Sequence, residues 1–102
     1  MIHAEISIYP MATPKTSASF YIAKAIESIH KLKGIRYQIN PMGTVLESDN
    51  IDKIYEAVKS MSEVVHNLGV DRVEIVIKID SRRDIDKSME EKIESVKKYL
   101  NS

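Results

Sequence analysis

Few side chains in this sequence combine the types and the spacing that catalysis or metal binding requires. There is no cysteine, so a thiolate nucleophile, a thiolate metal ligand and a disulfide are excluded. The three histidines, His3, His30 and His66, lack the short spacing of a zinc motif, and we expect them to be solvated. No serine has a G-x-S-x-G context, and no glycine-rich phosphate loop occurs. The sequence therefore predicts no catalytic residue, no metal and no cofactor.

A tight turn near the middle of the chain, Asn40-Pro41-Met42-Gly43-Thr44, is the first candidate for a binding site. Pro41 fixes its own φ and biases Asn40 toward an extended conformation. Gly43 permits a backbone geometry that other residues resist. Turn chemistry thus accounts for Pro41 and Gly43 but not for Met42, which either covers a ligand or packs locally. We would look for a ligand first at Asn40, Met42 and Thr44.

Two loops are further candidates. The loop over residues 10–17 leads into a helix, and its hydroxyl groups either cap that helix or bind an anion; they belong to Thr13, Thr16 and Ser17. The loop after the last strand is strongly charged and contains Asp80, Arg82, Arg83 and Asp84. Such a cluster forms a solvated loop, an ion pair between subunits or a binding site.

The overall charge narrows the choice of partners. Lysine plus arginine and aspartate plus glutamate both number 15, which argues against nucleic acid and against a polybasic membrane surface. With 102 residues, 43% of them hydrophobic, the chain predicts one globular domain over residues 1–102. The start of the chain has no basic region, and no apolar run approaches the roughly 20 residues that span a bilayer. We therefore expect a cytoplasmic protein.

Hydrophobic periodicity divides the chain into seven elements. Alternating apolar and polar residues predict strands over residues 2–9, 35–40, 44–47 and 71–80. Helical spacing predicts a helix from Thr16 or Ser17 to about Lys33, a second that ends near Leu68, and a narrow, peripheral one from about Asp86. The glycines and prolines all fall at element ends, in the turn or in loops, which agrees with these boundaries.

The order β-α-β-β-α-β-α predicts an α+β fold, a ferredoxin-like βαββαβ sandwich with an antiparallel four-stranded sheet and an extra C-terminal helix. The first and third strands should be central, and all the isoleucine faces should lie under the two main helices. The opposite face is polar and is either solvated or packed against another subunit; on it we expect an ion pair between Glu5 and Lys78. The long edge strand 71–80 also needs protection, which favours a homo-oligomer.

A series of short motifs, in order, resembles the YkoF-like thiamine-binding proteins, a family of small ferredoxin-like proteins. The turn is preceded by Gly34-Ile35-Arg36-Tyr37-Gln38-Ile39-Asn40. The other motifs are Ala4-Glu5-Ile6-Ser7-Ile8, Thr16-Ser17, Asp71-Arg72-Val73, and Lys78-Ile79-Asp80 followed by Arg82-Arg83-Asp84. The likeness covers nearly the whole chain. One departure is Met11-Ala12-Thr13-Pro14, where the family usually has a glycine-containing loop.

The resemblance implies non-catalytic binding of thiamine, or of its hydroxymethylpyrimidine part, by a homo-dimer or homo-tetramer assembled through the sheets. An aminopyrimidine needs a donor, an acceptor and apolar cover, and a thiazolium cation needs a carboxylate or a π face. The implied ligand-binding residues are Glu5, Ser7, Tyr37, Asn40, Met42, Gly43, Thr44, Asp80 and Arg83, with Tyr9 and Gln38 as further candidates. In the predicted register, Tyr37 points to the face of the sheet that the helices cover, and Glu5 points to the opposite, open face. One pocket can contain both side chains only if the strand bends.

Two other functions stay open. The chain is alternatively a structural or regulatory oligomer, with the polar sheet face serving subunit contact. An acylphosphatase-like enzyme on the same fold would need an anion-cradling loop with an arginine. The loop over residues 10–16 contains neither glycine nor arginine, which disfavours the enzyme.

Overall fold

Alternating apolar residues build a four-stranded antiparallel sheet in the computed structural model, which describes residues 1–100. The elements in chain order are β1 (Ile2–Pro10), α1 (Ser19–Ile29), β2 (Arg36–Asn40), β3 (Gly43–Ser48), α2 (Ile51–Asn67), β4 (Val73–Ser81) and α3 (Met89–Lys97). The strands lie in the order β2-β3-β1-β4, so the first and third strands are central, as predicted. The ferredoxin-like α+β fold with an extra C-terminal helix is confirmed. The single domain over residues 1–102 stays a prediction, and residues 101 and 102 lie outside the described part.

The core lies between one face of the sheet and the helices α1 and α2. β1 contributes every second residue, and Ala4 pairs with Leu46 of β3 on the same face. The buried residues of the two helices and two central strands include Ile2, Ala4, Ile6, Ile8, Ala25, Ile29, Leu46, Ile54, Ala57, Met61 and Val65. Burial of these side chains is the main favourable term in folding. Among residues 1–100, no helix is both long and apolar enough to cross a membrane.

The two edge strands are only partly covered by the helices. Ile39 of β2 is 64% exposed and Ile77 of β4 is 36% exposed. The prediction that all the isoleucine faces are buried was therefore wrong at these positions. Two helices are enough to cover the central strands, but the margins of the sheet extend past them.

The first helix starts later and ends earlier than predicted. Its N-cap is Ala18, not Thr16 or Ser17 as predicted, and Ala18 has no side-chain capping bond. Ser17 Oγ instead accepts a 3.3 Å hydrogen bond from the N–H of Ser19. α3 also starts later than predicted, at Met89, because Ser88 and Glu91 form a capping box there.

The first turn of α3 lies on the open face of the sheet and buries two titratable residues, His3 and Glu47, beneath it. His3 Nε2 lies 2.8 Å from Glu47 Oε1, and the N–H of Met89 donates to the same oxygen at 2.8 Å. Arg36 Nη1 donates to Glu47 Oε2 at 2.5 Å, and the same guanidinium pairs with Glu90 of α3. His3 is 7% exposed, so the prediction of a solvated histidine was wrong for this residue. The rest of α3 is largely exposed, as expected of a peripheral helix.

The partners of Glu47 decide its protonation. Burial alone would raise the pKa of Glu47, but the hydrogen bonds from His3 and Met89 and the charge of Arg36 together lower it below its usual value. A carboxylate with a lowered folded-state pKa stabilises the fold fully above the unfolded-state pKa of about 4.3. That contribution is lost as the pH falls through the folded-state pKa.

Replacing Glu47 with Gln should lower the free energy of unfolding by about 2 kcal/mol near neutral pH, because charge-assisted hydrogen bonds become neutral ones. The difference from the wild type should shrink as the pH is lowered toward about 3, since the wild-type carboxylate is then protonated as well. Urea denaturation at several pH values measures both effects.

The matched control is E90Q, which removes the half-exposed carboxylate on the other side of Arg36. It should lower the free energy of unfolding by less than about 1 kcal/mol, as is usual for surface ion pairs. Equal losses for E47Q and E90Q, or an E47Q loss that does not depend on pH, would contradict this account.

Candidate functional site

β1 extends past the hairpin beside it. β4 pairs with β1 along Ile2–Pro10, whereas β3 pairs only with Ile2–Ile6. The β2–β3 hairpin turns at Pro41 and Met42, so no described strand lies beside residues 7–10 on that side of β1. The backbone N–H and C=O groups along this edge therefore lack strand partners and are open to another donor or acceptor.

A cavity of about 250 Å³ occupies this gap. The hairpin turn forms one wall and the start of α1 another. Its apolar lining comes from both layers and includes Ile6, Ile8, Ala18, Ile22, Ile39 and Met61. Polar groups come from Ser7, Tyr9, Asn40 and Thr44, and none of the described lining residues is charged. Since drug-sized pockets measure roughly 300–1,000 Å³, this cavity suits a small, uncharged heterocycle.

The hairpin turn is held against β1 by a close approach at Gly43. A Cβ atom on Gly43 would lie 3.0 Å from the carbonyl oxygen of Ile6 and 3.1 Å from Ser7 Oγ. The Ser7 hydroxyl also donates a 3.1 Å hydrogen bond to the carbonyl oxygen of Met42. Among the described glycines, only Gly34 and Gly69 have positive φ. Gly43 is thus favoured by packing and not, as predicted, by the turn conformation.

Thr44 presents a hydroxyl that no other residue in the described part of the chain uses. It lies opposite Ile6 on the helix side of the sheet, is 3% exposed and lines the cavity. The hydroxyl makes no hydrogen bond to any residue within 1–100. Among residues 1–100, His3 Nδ1 is the only side-chain nitrogen or oxygen that is both fully buried and without a hydrogen-bond partner. The Thr44 hydroxyl also has no partner, so it is not fully buried and is accessible from the cavity. A ligand could provide the missing partner.

The cavity brings together five of the residues that the resemblance implied: Ser7, Asn40, Met42, Gly43 and Thr44. Tyr9, a further candidate, also lines it. The Met42 side chain is 85% exposed at the outer edge of the turn. Met42 is therefore not packed into the core.

Four implied residues lie elsewhere. Glu5 is on the open face beside Lys78, but no ion pair joins them among the described residues, contrary to the prediction. Tyr37 points to the helix side, where its hydroxyl lies 2.6 Å from His30 Nε2. Asp80 pairs with His3 in the register of β1 and β4, far along the strand from the cavity. Gln38 lies opposite Val45 and does not line the cavity either.

The charged loop is engaged in contacts of its own. Lys92 Nζ donates to Asp80 at 2.5 Å, and this hydrogen bond lowers the pKa of Asp80. Arg82 binds Asp84 with two hydrogen bonds, which lower the pKa of that carboxyl group. Arg83, the fourth implied residue, is exposed in this loop and away from the cavity. The loop therefore corresponds best to the solvated alternative.

The loop over residues 10–17 is also used locally. The Thr13 hydroxyl donates to the carbonyl oxygen of Lys15 at 2.8 Å, and the N–H of Met11 donates to Arg72. Ala12 has a φ of 57°, in the region that favours glycine. This position coincides with the loop in which the resembled family usually has a glycine.

Sequence reasoning missed the apolar lining of the cavity. Ala18 lay in a predicted helix, and Ile22 and Met61 fit the core stripes of helices, so nothing marked them as ligand contacts. One signal was available. The first strand was predicted to be twice as long as the third strand, Thr44–Glu47, and such a mismatch leaves part of the longer strand unpaired.

The chain thus combines a ferredoxin-like α+β fold with an uncharged cavity at the end of a central strand. Residues 4–97 match the family model described as thiamine-binding protein, and the chain belongs to this family.

Similar proteins come from archaea and bacteria. A UPF0045 protein of Methanothermobacter thermautotrophicus is 47% identical over 100 residues, covering 98% of this chain and all of the relative. The crystal structure of MJ1052 from Methanocaldococcus jannaschii superposes with a TM-score of 0.84 at 38% identity, covering 94% of this chain and 95% of the other. A Thermotoga maritima protein, provisionally described as acting in thiamine biosynthesis or salvage, shares the fold with a TM-score of 0.75 at 22% identity, covering 93% of this chain and 97% of the other.

Replacing Gly43 with Ala should lower the free energy of unfolding by about 1–3 kcal/mol, because the new methyl group meets the backbone of β1. In an S7A background the same substitution should be less destabilising, since one of the two close contacts is then absent. Chemical denaturation of the four proteins measures this coupling. Additive effects of G43A and S7A would contradict the close approach.

Proposed function

We propose that this protein binds thiamine or its hydroxymethylpyrimidine part in the cavity beside β1, without catalysing a reaction. The single observation that carries the proposal is the unpaired edge of β1 facing an uncharged cavity. Membership of a family described as thiamine-binding supports the ligand class. The description of the Thermotoga maritima protein, which shares the fold, agrees with it.

The chemistry of an aminopyrimidine suits this edge. Its ring nitrogens accept hydrogen bonds and its amino group donates them, so it can pair with backbone N–H and C=O groups past Ile6 as another strand would. The Thr44 hydroxyl offers one more donor or acceptor. The apolar side chains of the sheet and of α1 cover the flat faces of the ring.

The thiazolium part of thiamine would then lie at the mouth of the cavity. Tyr9 lines the cavity and is 50% exposed, so its ring can provide a π face for the cation. Met42 can cover the ligand from the turn. No lysine or arginine is among the described lining residues, so a diphosphate group would have no cationic partner there. The proposed ligand is therefore unphosphorylated.

The absence of a reaction is part of the proposal. The described lining contains no histidine, carboxylate or amine that could transfer a proton. Some ligand-binding residues that the resemblance implied lie outside the cavity, among them Glu5 and Asp80. These residues would then not contact the ligand. The predicted cytoplasmic location stays a prediction.

A homo-oligomer is the second part of the proposal. The open face of the sheet exposes Tyr9 and Val76, at 50% and 62%, away from the end that α3 covers. The outer edge of β4 has no strand partner among the described residues. Both features are typical of surfaces that another subunit covers.

The test of ligand binding is calorimetry with hydroxymethylpyrimidine, thiamine and thiamine diphosphate. The first two should bind, and the diphosphate should bind more weakly than thiamine. T44V should weaken binding about fivefold, because one hydrogen bond is worth about 1 kcal/mol. The same variant should be as stable as the wild type or more stable, since the hydroxyl has no partner among residues 1–100.

The matched control is S48A, which removes a buried hydroxyl from the same face of β3 outside the cavity. It should leave the affinity unchanged. No heat and no thermal shift with either hydroxymethylpyrimidine or thiamine at millimolar concentration would overturn the proposal and favour a purely structural oligomer. Unchanged affinity in T44V would remove Thr44 from the site.

A further inference from the structure

The cavity beside β1 extends from the surface into the core, and its lining contains one methionine at the surface and one in the core. Met42 lies on the exposed hairpin turn, whereas Met61 of α2 is 1% exposed and belongs to the core cluster. Met61 is the only residue of α2 in the described lining. We propose that Met61 determines the specificity of this site, by receiving a short alkyl group of an aminopyrimidine ligand. This inference rests on the proposed function and deepens it.

The buried end of the cavity is apolar apart from one hydroxyl group. Ile6, Ile8 and Met61 are all buried. Thr44 is the only polar residue of the described lining that is buried to the same degree. A polar group of the ligand that faced Met61 would lose its hydrogen bonds to water without replacement. The part of the ligand that lies against Met61 must therefore be apolar.

The surface end of the cavity has the opposite character. Tyr9 is half exposed there, Asn40 is partly exposed, and Met42 is exposed. A hydroxyl group or a cation keeps contact with water at this end, and the ring of Tyr9 offers a π face to a cation. The best ligand thus has an apolar group at one end and a polar or cationic group at the other.

The aminopyrimidine part of thiamine has this arrangement. Its methyl group is on ring carbon C2, and its hydroxymethyl group, or the link to the thiazolium, is on C5, directly across the ring. With the methyl group against Met61, C5 points to the mouth of the cavity. The ring nitrogens and the amino group then lie along the sides, where the unpaired edge of β1 and the Thr44 hydroxyl can meet them. The reverse orientation would bury a hydroxyl group or a cation among apolar side chains, which is unfavourable.

Met61 is the part of the buried wall whose length decides which alkyl group fits. Ile6 and Ile8 are β-branched, and their strand is held by its pairing with β4. Methionine is unbranched and adapts its shape to what it contacts. One methylene group more or less in an apolar pocket changes discrimination between ligands about 10–200-fold. The side chain at position 61 therefore sets the length of the alkyl group on C2.

Contacts between the ligand and the methionine methyl groups test this orientation in the wild-type protein. The probe is hydroxymethylpyrimidine, bound to protein with isotope-labelled methionine methyl groups. NMR should show nuclear Overhauser contacts between the C2 methyl group and Met61. The methionines outside the described lining serve as internal controls and should show none; they are Met1, Met11 and Met89. Contacts of the C2 methyl group with Met42 instead of Met61 would overturn the inference.

A change in the size of residue 61 should change the preferred alkyl group. By calorimetry, the wild type should bind the 2-methyl compound about tenfold more tightly than the analogue without a C2 substituent. It should bind the 2-propyl analogue about tenfold more weakly than the 2-methyl compound, because the pocket is then overfilled. M61A should prefer the 2-propyl analogue, since the longer chain fills the space that the truncation leaves.

The matched control is V65A, which truncates a buried residue one turn further along α2 and outside the described lining. It should keep the wild-type order of the three compounds. Circular dichroism establishes that both variants fold. The contacts and the order of affinities in the wild type decide the question if M61A does not fold.

Failure of this inference and failure of the proposed function give different results. If hydroxymethylpyrimidine binds but M61A keeps the wild-type order of alkyl groups, Met61 does not determine specificity and the binding site stands. Absence of binding for every compound would overturn both.

Discussion

The position of residue 43 against β1 sets the length of the pairing between the two central strands. A methyl group on Gly43 would lie only 3.0 Å from the carbonyl oxygen of Ile6, so a larger residue fits there only if its neighbours shift. The Ser7 hydroxyl then holds the turn by its hydrogen bond to Met42. Because the hairpin reverses there, β1 continues alone on that side for the rest of its length. The cavity, its unpaired backbone and the accessible Thr44 hydroxyl all follow from this difference in length.

The same two strands are fixed differently at their other ends. There, Glu47 of β3 and His3 of β1 meet beneath the first turn of α3, and Arg36 reaches the same carboxylate. A buried charge with several hydrogen bonds favours one arrangement of the strands, because each alternative leaves a polar group unpaired. The sheet thus has polar contacts between its central strands at one end and an unpaired strand edge beside a cavity at the other. This division gives the small domain both a rigid frame and an accessible strand edge.

Local patterns were sufficient to predict the strand order, the edge strands and the central turn. They could not predict the burial of His3, because that depends on a helix that returns to the sheet from more than eighty residues away. The same limit explains Gly43, whose role depends on its distance to β1 and not on its own φ. Of the implied site residues, those near the turn lie together because they are close in sequence or in register. Asp80 and Arg83 lie apart from them, since Asp80 is near the C-terminal end of β4 and Arg83 is in the loop that follows.

The central claim is that a ligand binds along the unpaired edge of β1. Backbone amide chemical shifts, followed by NMR while hydroxymethylpyrimidine is added, test it residue by residue. The account predicts that the largest changes occur at residues 7–9 and 42–44, on the two sides of the cavity. Changes concentrated instead at Tyr37 or in the charged loop around Arg83, with residues 7–9 unaffected, would contradict it.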